Sequence, residues 1–293
     1  MNVIYLGAIS HIDFKQIRLS YDEKYGVLNL QLKPPTRSCF NVGLLTEIKE
    51  LLEHLSVTRG SIVLNGRVRR INYLVLSSAS KEHFSLGGDL SRIGYAAKKK
   101  DRAWLEDYAA LCIYNLWMLY SPDFPVTTIA LVQGSALGGG FECALSCDVM
   151  IAEPKARFGF PESIFNLFPG MGALSFLSRR IGLKGAQDVI NNGQIFMAEE
   201  MAMLGVVDVL AEDGGGFSSL NNWIEKNNQS LASYQAVQRA RKIVSKLDKK
   251  ELDDVARLWV ETALNMSDKN LKHMETIIRA QTNRIKPKLI VTE

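Results

Sequence analysis

The chain has 293 residues, of which 47% are hydrophobic and 23% charged, with a formal net charge of +4 and a pI near 8.8. This is the make-up of a soluble globular chain with room for a large core, as one large α/β domain or two small ones. The charge is too weak to argue for nucleic acid, which shows as a concentrated basic face, and no run of about 18 apolar residues is present to span a membrane.

The N-terminus, MNVIYLGAISHIDFKQIRLS, lacks a charged leader and a long apolar stretch, so it does not read as a signal peptide. KQIRLSYDEKYGVLNLQL (15–32) reads as two strands around a turn at Asp22–Gly26, and Pro34 and Pro35 then break the pattern. Leu44, Leu45, Ile48, Leu51, Leu52 and Leu55 recur at helical spacing. NYLVLSSAS (72–80) is a buried strand, and HFSLGGDL (83–90) is its exit, with an ordinary turn capped by Asp89 as the plain reading. A basic run, KKKDR (98–102), precedes a long apolar-periodic helix over 103–121. VTTIALVQGSALGGGFECALSCDVMIAE (126–153) reads as a strand, three glycines, a helix and a further strand.

ARFGF (156–160) is another short strand, GALSFLSRRIG (172–182) a helix, and 197–212 a helix followed by a strand. EDGGG (212–216) is a natural hinge, and beyond it the patterns are helical only. Buried strands alternating with helices predict βαβ units and a mainly parallel sheet. The organisation expected is a core over 1–216 and a C-terminal helical section over 217–293. Cys39, Cys112, Cys143 and Cys147 show no zinc spacing, and Cys143 and Cys147 share a helix face as buried thiols. A reduced, cytoplasmic setting and no metal are expected.

Gly138, Gly139 and Gly140 end a strand and open a helix. The first N–H groups of a helix have no partner inside it, and glycine lets a ligand approach them closely. Such a place holds a phosphate, a carboxylate or a developing oxyanion. A P-loop would need Lys-Ser/Thr after its last glycine, a dinucleotide fingerprint GxGxxG, and a hydrolase elbow GxSxG; none is present. On the glycines alone, a tight helix–strand contact is the stronger reading. Glu142 changes that balance, because a buried unpaired carboxylate costs several kcal/mol or takes a raised pKa. Glu162 follows in a second apolar run, FGFPES. Two carboxylates beside glycine N–H donors suit proton removal next to a carbonyl. The 83–90 segment is the candidate second donor.

These residues resemble the crotonase (enoyl-CoA hydratase/isomerase) superfamily over roughly residues 15–285. The resemblance rests on FSLGGDL, ALVQGSALGGGFECALSCDVMIAE and FGFPESIFNLFPGMGA, in the family's order. It implies an α/β fold, a spiral of ββα units with C-terminal helices that help close the sites, assembled as a trimer or a pair of trimers. It implies an acyl thioester substrate, acyl-ACP or acyl-CoA, and no separate cofactor. It places the oxyanion donors on the N–H groups of Leu86 and Gly139, with Gly87 and Gly138 beside them as substrate-binding residues, and the acid/base pair on Glu142 and Glu162. The spacing does not separate the two roles; the resemblance favours Glu162 as the base at C2.

After Glu162 the chain reads NLFPGMGALSFLSRRIG, which with LWVETAL (258–264) and IIRAQ (277–281) is most similar to the diffusible-signal-factor synthase (RpfF-type) branch. That branch implies dehydration of a 3-hydroxyacyl-ACP to a cis-2-enoyl thioester, then thioester cleavage to a free fatty-acid signal. It also implies a pocket at Met171, Trp259 and Ile277, and association with a sensor protein. The alternatives are a conventional enoyl-CoA hydratase and a catalytically silent binding member of the fold. KKKDR and RARK (239–242) would meet an acidic carrier or CoA phosphates, against the plainer reading of solvated faces. His83 and Asp89 are expected to be structural.

Overall fold

The structure, a computed structural model, describes residues 3–285 apart from positions 7, 10, 11, 36 and 192. Residues 286–293 of the expected helical section lie outside the described residues. In chain order the elements are β1 (Val3–Leu6), β2 (Ala8–Ile9), β3 (Ile12–Asp13), β4 (Ile17–Asp22), β5 (Val27–Leu32), α1 (Val42–Val57), β6 (Ser61–Leu64), β7 (Arg67–Arg70), β8 (Tyr73–Ser78), β9 (His83–Ser85), α2 (Leu90–Lys99) and α3 (Arg102–Tyr120). There follow β10 (Thr127–Val132), β11 (Ser135–Leu137), α4 (Gly139–Ser146), β12 (Val149–Ala152), β13 (Arg157–Gly159), a 3-10 turn over Pro161–Phe165, and α5 (Ala173–Asn191). The chain ends with β14 (Ile195–Met197), α6 (Ala198–Met203), β15 (Val209–Leu210), α7 (Gly216–Asn228), α8 (Leu231–Val244), α9 (Lys249–Leu264) and α10 (Asp268–Ile285).

Two sheets organise these elements. The larger runs β1-β4-β5-β8-β10-β12-β15 and the smaller β14-β13-β11-β9. From β5 onward the larger sheet is parallel, and so is the β9-β11-β13 step of the smaller one. The chain repeatedly lays a strand in the large sheet, then a short strand in the small sheet, then a helix: β8-β9-α2, β10-β11-α4, β12-β13-α5. This is the spiral of ββα units expected above. Residues 126–153 therefore hold two strands before their helix, not one, because the chain leaves the large sheet after Val132 and re-pairs at Ser135–Leu137. The arginine-rich hairpin β6–β7 carries too little apolar pattern to have been read.

The buried strands read as continuous apolar runs because both faces of the large sheet are covered. On one face, Leu44, Leu45, Ile48, Leu51, Leu52 and Leu55 of α1 join α3 and α4 in the main core, all as the helical spacing required. On the other, Leu220 and Ile224 of α7 pack on Tyr73, Val75, Ile129, Leu131 and Ile151. The C-terminal helices thus share cores with the sheet. Trp259, Val260 and Ala263 of α9 belong to the main core, and the Arg102 guanidinium grips the Glu261 carboxylate at 2.6 and 3.1 Å. Lys100 Nζ donates to the Leu264 carbonyl. Among the described residues no helix is long and apolar enough to cross a membrane.

Glu153 anchors the glycine-rich segment read as a hinge. Its Oε1 accepts from Gln133 Nε2 at 2.7 Å and from the Gly216 N–H at 3.2 Å, and its Oε2 accepts from the Gly214 N–H at 3.2 Å. The carboxylate is 1% exposed and also pairs with Lys155 at 3.5 Å; of its donors the Gly216 N–H is buried and depends on it most. Glu153→Ala is expected to cost about 1–3 kcal/mol by leaving them unpaired. Chemical denaturation measures it, and an unchanged midpoint would show that α7 is seated by its apolar face alone.

Candidate active site

Glu142 stands in the first turn of α4, 1% exposed. One of its oxygens, Oε1, accepts from the Met171 N–H at 2.7 Å and the Ala173 N–H at 3.0 Å, at the entry to α5. A carboxylate at a helix N-terminus is favoured by the dipole and the unpaired amides there. Glu162, in the 3-10 turn, has a buried Oε2 with no hydrogen-bond partner among the described residues. Both side chains line one largely apolar cavity, walled by Ile93, Leu116, Leu119, Met171 and Trp259 among others.

The two carboxyls differ in their surroundings. Burial pushes Glu142 up to about 7, against the pull of its two backbone donors. Burial first, and the neighbouring Glu142 charge second, push Glu162 up to about 8. They titrate as a coupled pair. The surroundings favour the proton on Glu162, whose Oε2 has no donor among the described residues, and the anion on Glu142, which accepts from the Met171 and Ala173 amides. Cys112 and Cys143 share the cavity wall, but burial raises both thiols, Cys143 to about 12, so neither supplies a thiolate near neutrality.

Gly138 makes this pair possible. Its φ is +51°, and a Cβ there would overlap Glu162 Oε1. Gly87, at φ +92°, lets the other glycine loop come against it: a Cβ would stand 2.9 Å from the Leu137 carbonyl oxygen and 3.1 Å from the Gly139 nitrogen. Gly138 and Gly87 therefore shape the site and do not themselves line its wall. An ideal Cβ on Gly139 would lie 3.5 Å from the Gly88 nitrogen, so the Gly88 and Gly139 amides are neighbours on the cavity.

The Leu86 N–H, expected as the second donor, is already spent, and the amide left free in this loop is that of Gly88. The Leu86 N–H donates to the Ser38 carbonyl at 2.6 Å, the Gly87 N–H to Ser85 Oγ at 3.2 Å, and the Asp89 N–H to Tyr108 Oη at 3.3 Å. Among the described residues the Gly88 N–H has no acceptor, and Gly88 lines the cavity where Leu86 does not. Tyr108 fixes this loop further by donating to the Phe40 carbonyl at 2.7 Å, beneath a stacked Trp104. Both tyrosine and loop contacts were invisible in the sequence, where only the glycine pair pointed to them.

Met171 and Trp259 do line the cavity, and Trp259 packs so closely on Gly170 that a Cβ there would overlap it. Ile277 does not line it: it is half-buried on α10, packed against the main core. Asp89 caps α2 and pairs with Arg37 at 3.2 Å. The basic runs are largely committed to structure. Arg102 and Lys100 hold α9, Lys242 pairs with buried Asp148 at 2.6 Å, and Arg241 donates to the Asp148 carbonyl at 3.3 Å. Lys98 and Lys99 remain exposed, with no ion pair among the described residues.

Fold and site together bring Glu142, Glu162 and the backbone of Gly88 and Gly139 to one cavity on a spiral of ββα units. The chain belongs to the enoyl-CoA hydratase/isomerase family, whose pattern matches residues 22–275. It is 33% identical over 140 residues to the peroxisomal fatty acid beta-oxidation multifunctional protein AIM1 of Arabidopsis thaliana. That match covers 48% of this chain and 19% of the relative. The fold is similar to human mitochondrial delta3-delta2-enoyl-CoA isomerase (TM-score 0.74, 19% identity, 93% of this chain and 100% of the other). It is also similar to an enoyl-CoA hydratase of Bacillus halodurans (TM-score 0.72, 22% identity, 89% and 100%).

The raised carboxyls make stability depend on pH. Between about 4.5 and about 8 the native pair holds protons that the unfolded chain has released, so stability falls as pH rises through that window. Glu162→Gln removes part of this penalty. Relative to wild type it is expected to gain on the order of 1–3 kcal/mol between pH 5 and pH 8.5. Denaturation midpoints at the two pH values test it, and an equal difference at both would refute the buried protonated pair.

Proposed function

We propose that this chain adds water across the C2–C3 double bond of an enoyl thioester and runs the reverse dehydration of the 3-hydroxyacyl thioester. The observation that carries this reading is one apolar cavity holding buried Glu142 and partly buried Glu162, whose Oε2 is buried and unpaired, beside the N–H groups of Gly88 and Gly139, which have no acceptor among the described residues. The thioester oxygen lies between the two amides, which stabilise it most when it carries enolate charge. Glu142, its anion favoured by the α5 amides, takes a proton from water as the water oxygen bonds to C3. The π electrons move toward the carbonyl oxygen, and neutral Glu162 delivers its proton to C2. One H and one OH have then been added, and the proton left on Glu142 returns to Glu162 to reset the pair. In reverse, Glu162 takes the C2 proton and Glu142 protonates the departing hydroxyl.

The substrate is an acyl thioester carried on CoA or on a carrier protein, and the working unit is a trimer or a pair of trimers in the cytoplasm. The narrower reading, synthesis of a cis-2-unsaturated fatty-acid signal with thioester cleavage, rests on the residues after Glu162. Met171 and Trp259, two of the three pocket positions it implies, are in the cavity wall, and Ile277 is not. The hydration reading needs only the residues described here and fits at least as well.

Glu142→Gln and Glu162→Gln are each expected to lower kcat/KM for hydration of crotonyl-CoA by about 100- to 10,000-fold. Full activity in either variant would sink the two-carboxylate scheme. For wild type the hydration profile should be bell-shaped. It falls below about pH 7 as Glu142 takes a proton and above about pH 8 as Glu162 loses one, and a flat profile over that range would contradict the roles. Mass spectrometry of the reaction separates the narrower reading: a free cis-2-enoic acid supports it, whereas a 3-hydroxyacyl thioester with no free acid overturns it.

A further inference from the structure

The cavity wall contributed by α3 is not wholly apolar. Tyr108, Cys112, Asn115, Leu116 and Leu119 face the cavity along one side of that helix. Cys112 and Glu142 line the same cavity, and Asn115 lies about one helical turn, roughly 5 Å, beyond Cys112 along α3. Asn115 is 3% exposed. Its amide nitrogen donates to the Leu45 carbonyl at 3.1 Å and the Leu111 carbonyl at 2.9 Å. Both neighbours are acceptors only, so the amide cannot be flipped, and Nδ2 is the atom that faces them. The other atom, Oδ1, is buried and has no partner among the described residues.

A buried acceptor without a donor costs about 1–3 kcal/mol, and native structures rarely carry one unused. This one belongs to a side chain in the wall of the acyl-binding cavity. The nearest cavity hydroxyl, that of Tyr108, is already committed to the Phe40 carbonyl. Building on the thioester reading above, we propose that Asn115 is a specificity-determining residue. It selects an acyl chain that bears a hydroxyl several carbons beyond the reacting bond, whose O–H donates to Oδ1.

The chemistry on either side of that choice is asymmetric. A hydroxyl brought into an apolar slot with no acceptor loses its bonds to water and binds worse than a plain methylene chain. With Oδ1 available the same hydroxyl satisfies itself and the asparagine together. A site built around a buried polar atom discriminates through the group left unpaired when the wrong substrate binds.

The test uses the full-length wild-type protein and synthetic trans-2-decenoyl-CoA, plain or with a single hydroxyl at each carbon from 6 to 10. Affinity is read by calorimetry and turnover by loss of the enoyl absorbance. One hydroxylated isomer is expected to bind about tenfold more tightly than the plain chain, and Asn115→Leu to reverse that order. Tighter binding of the plain chain than of every hydroxylated isomer overturns the proposal, and the wild-type comparison stands even if the variant does not fold. Binding preference without turnover would overturn the hydration reading and leave the Asn115 assignment in place. Turnover of the plain chain with weaker binding of all hydroxylated isomers would do the opposite, and no binding of any of them would overturn both.

Discussion

The hydrogen bonds from the Met171 and Ala173 amides to one oxygen of Glu142 are the contact on which the rest of the site depends. A carboxylate deep among apolar side chains needs either a proton or fixed donors. Here the start of α5 supplies the donors, and α5 is brought there by the third passage between the two sheets. The same bonds separate the two glutamates chemically. Without them the deeper Glu142 would be a buried carboxyl with no donor, and its anion would lose the stabilisation that sets it apart from Glu162.

The second constraint is close approach of backbone. Two glycine loops, 87–88 and 138–139, come together at distances a Cβ would forbid, and this is what leaves two amides side by side. Neighbouring N–H groups in the first loop are all spent on Ser38, Ser85 and Tyr108, so the loop presents a single donor. The anion hole is thus defined as much by which amides are occupied as by which are free.

Much of this was legible in the sequence, for physical reasons that differ by element. The helical spacing of the leucines in α1 and the buried runs of β8, β10 and β12 follow from burial on one stripe or on both faces, and periodicity reports burial directly. Glu142 and Glu162 stood out because a charge inside an apolar run is costly. The choice of Gly88 over Leu86 was not legible, because it turns on where the Leu86 amide goes, and its acceptor, Ser38, is 48 positions earlier. Ile277 was misplaced for a related reason: an apolar residue on an amphipathic helix can face a core or a cavity, and its spacing is the same in both. The short strands β9 and β11 have three residues each, too few to show a period, whereas β13, equally short, is marked by its apolar ARFGF run.

Trp259 closes the cavity from α9, a helix that begins at Lys249, more than eighty residues after Glu162. The last wall of the site thus comes from a helix laid down in the chain long after the glutamates, the glycine loops and α5, and it is held there by the core it shares with them. The dryness that raises the pKa values of the pair therefore depends on how α9 seats, so a change far along the chain, at the α9 packing surface, is felt as a change in the proton affinity of the glutamates.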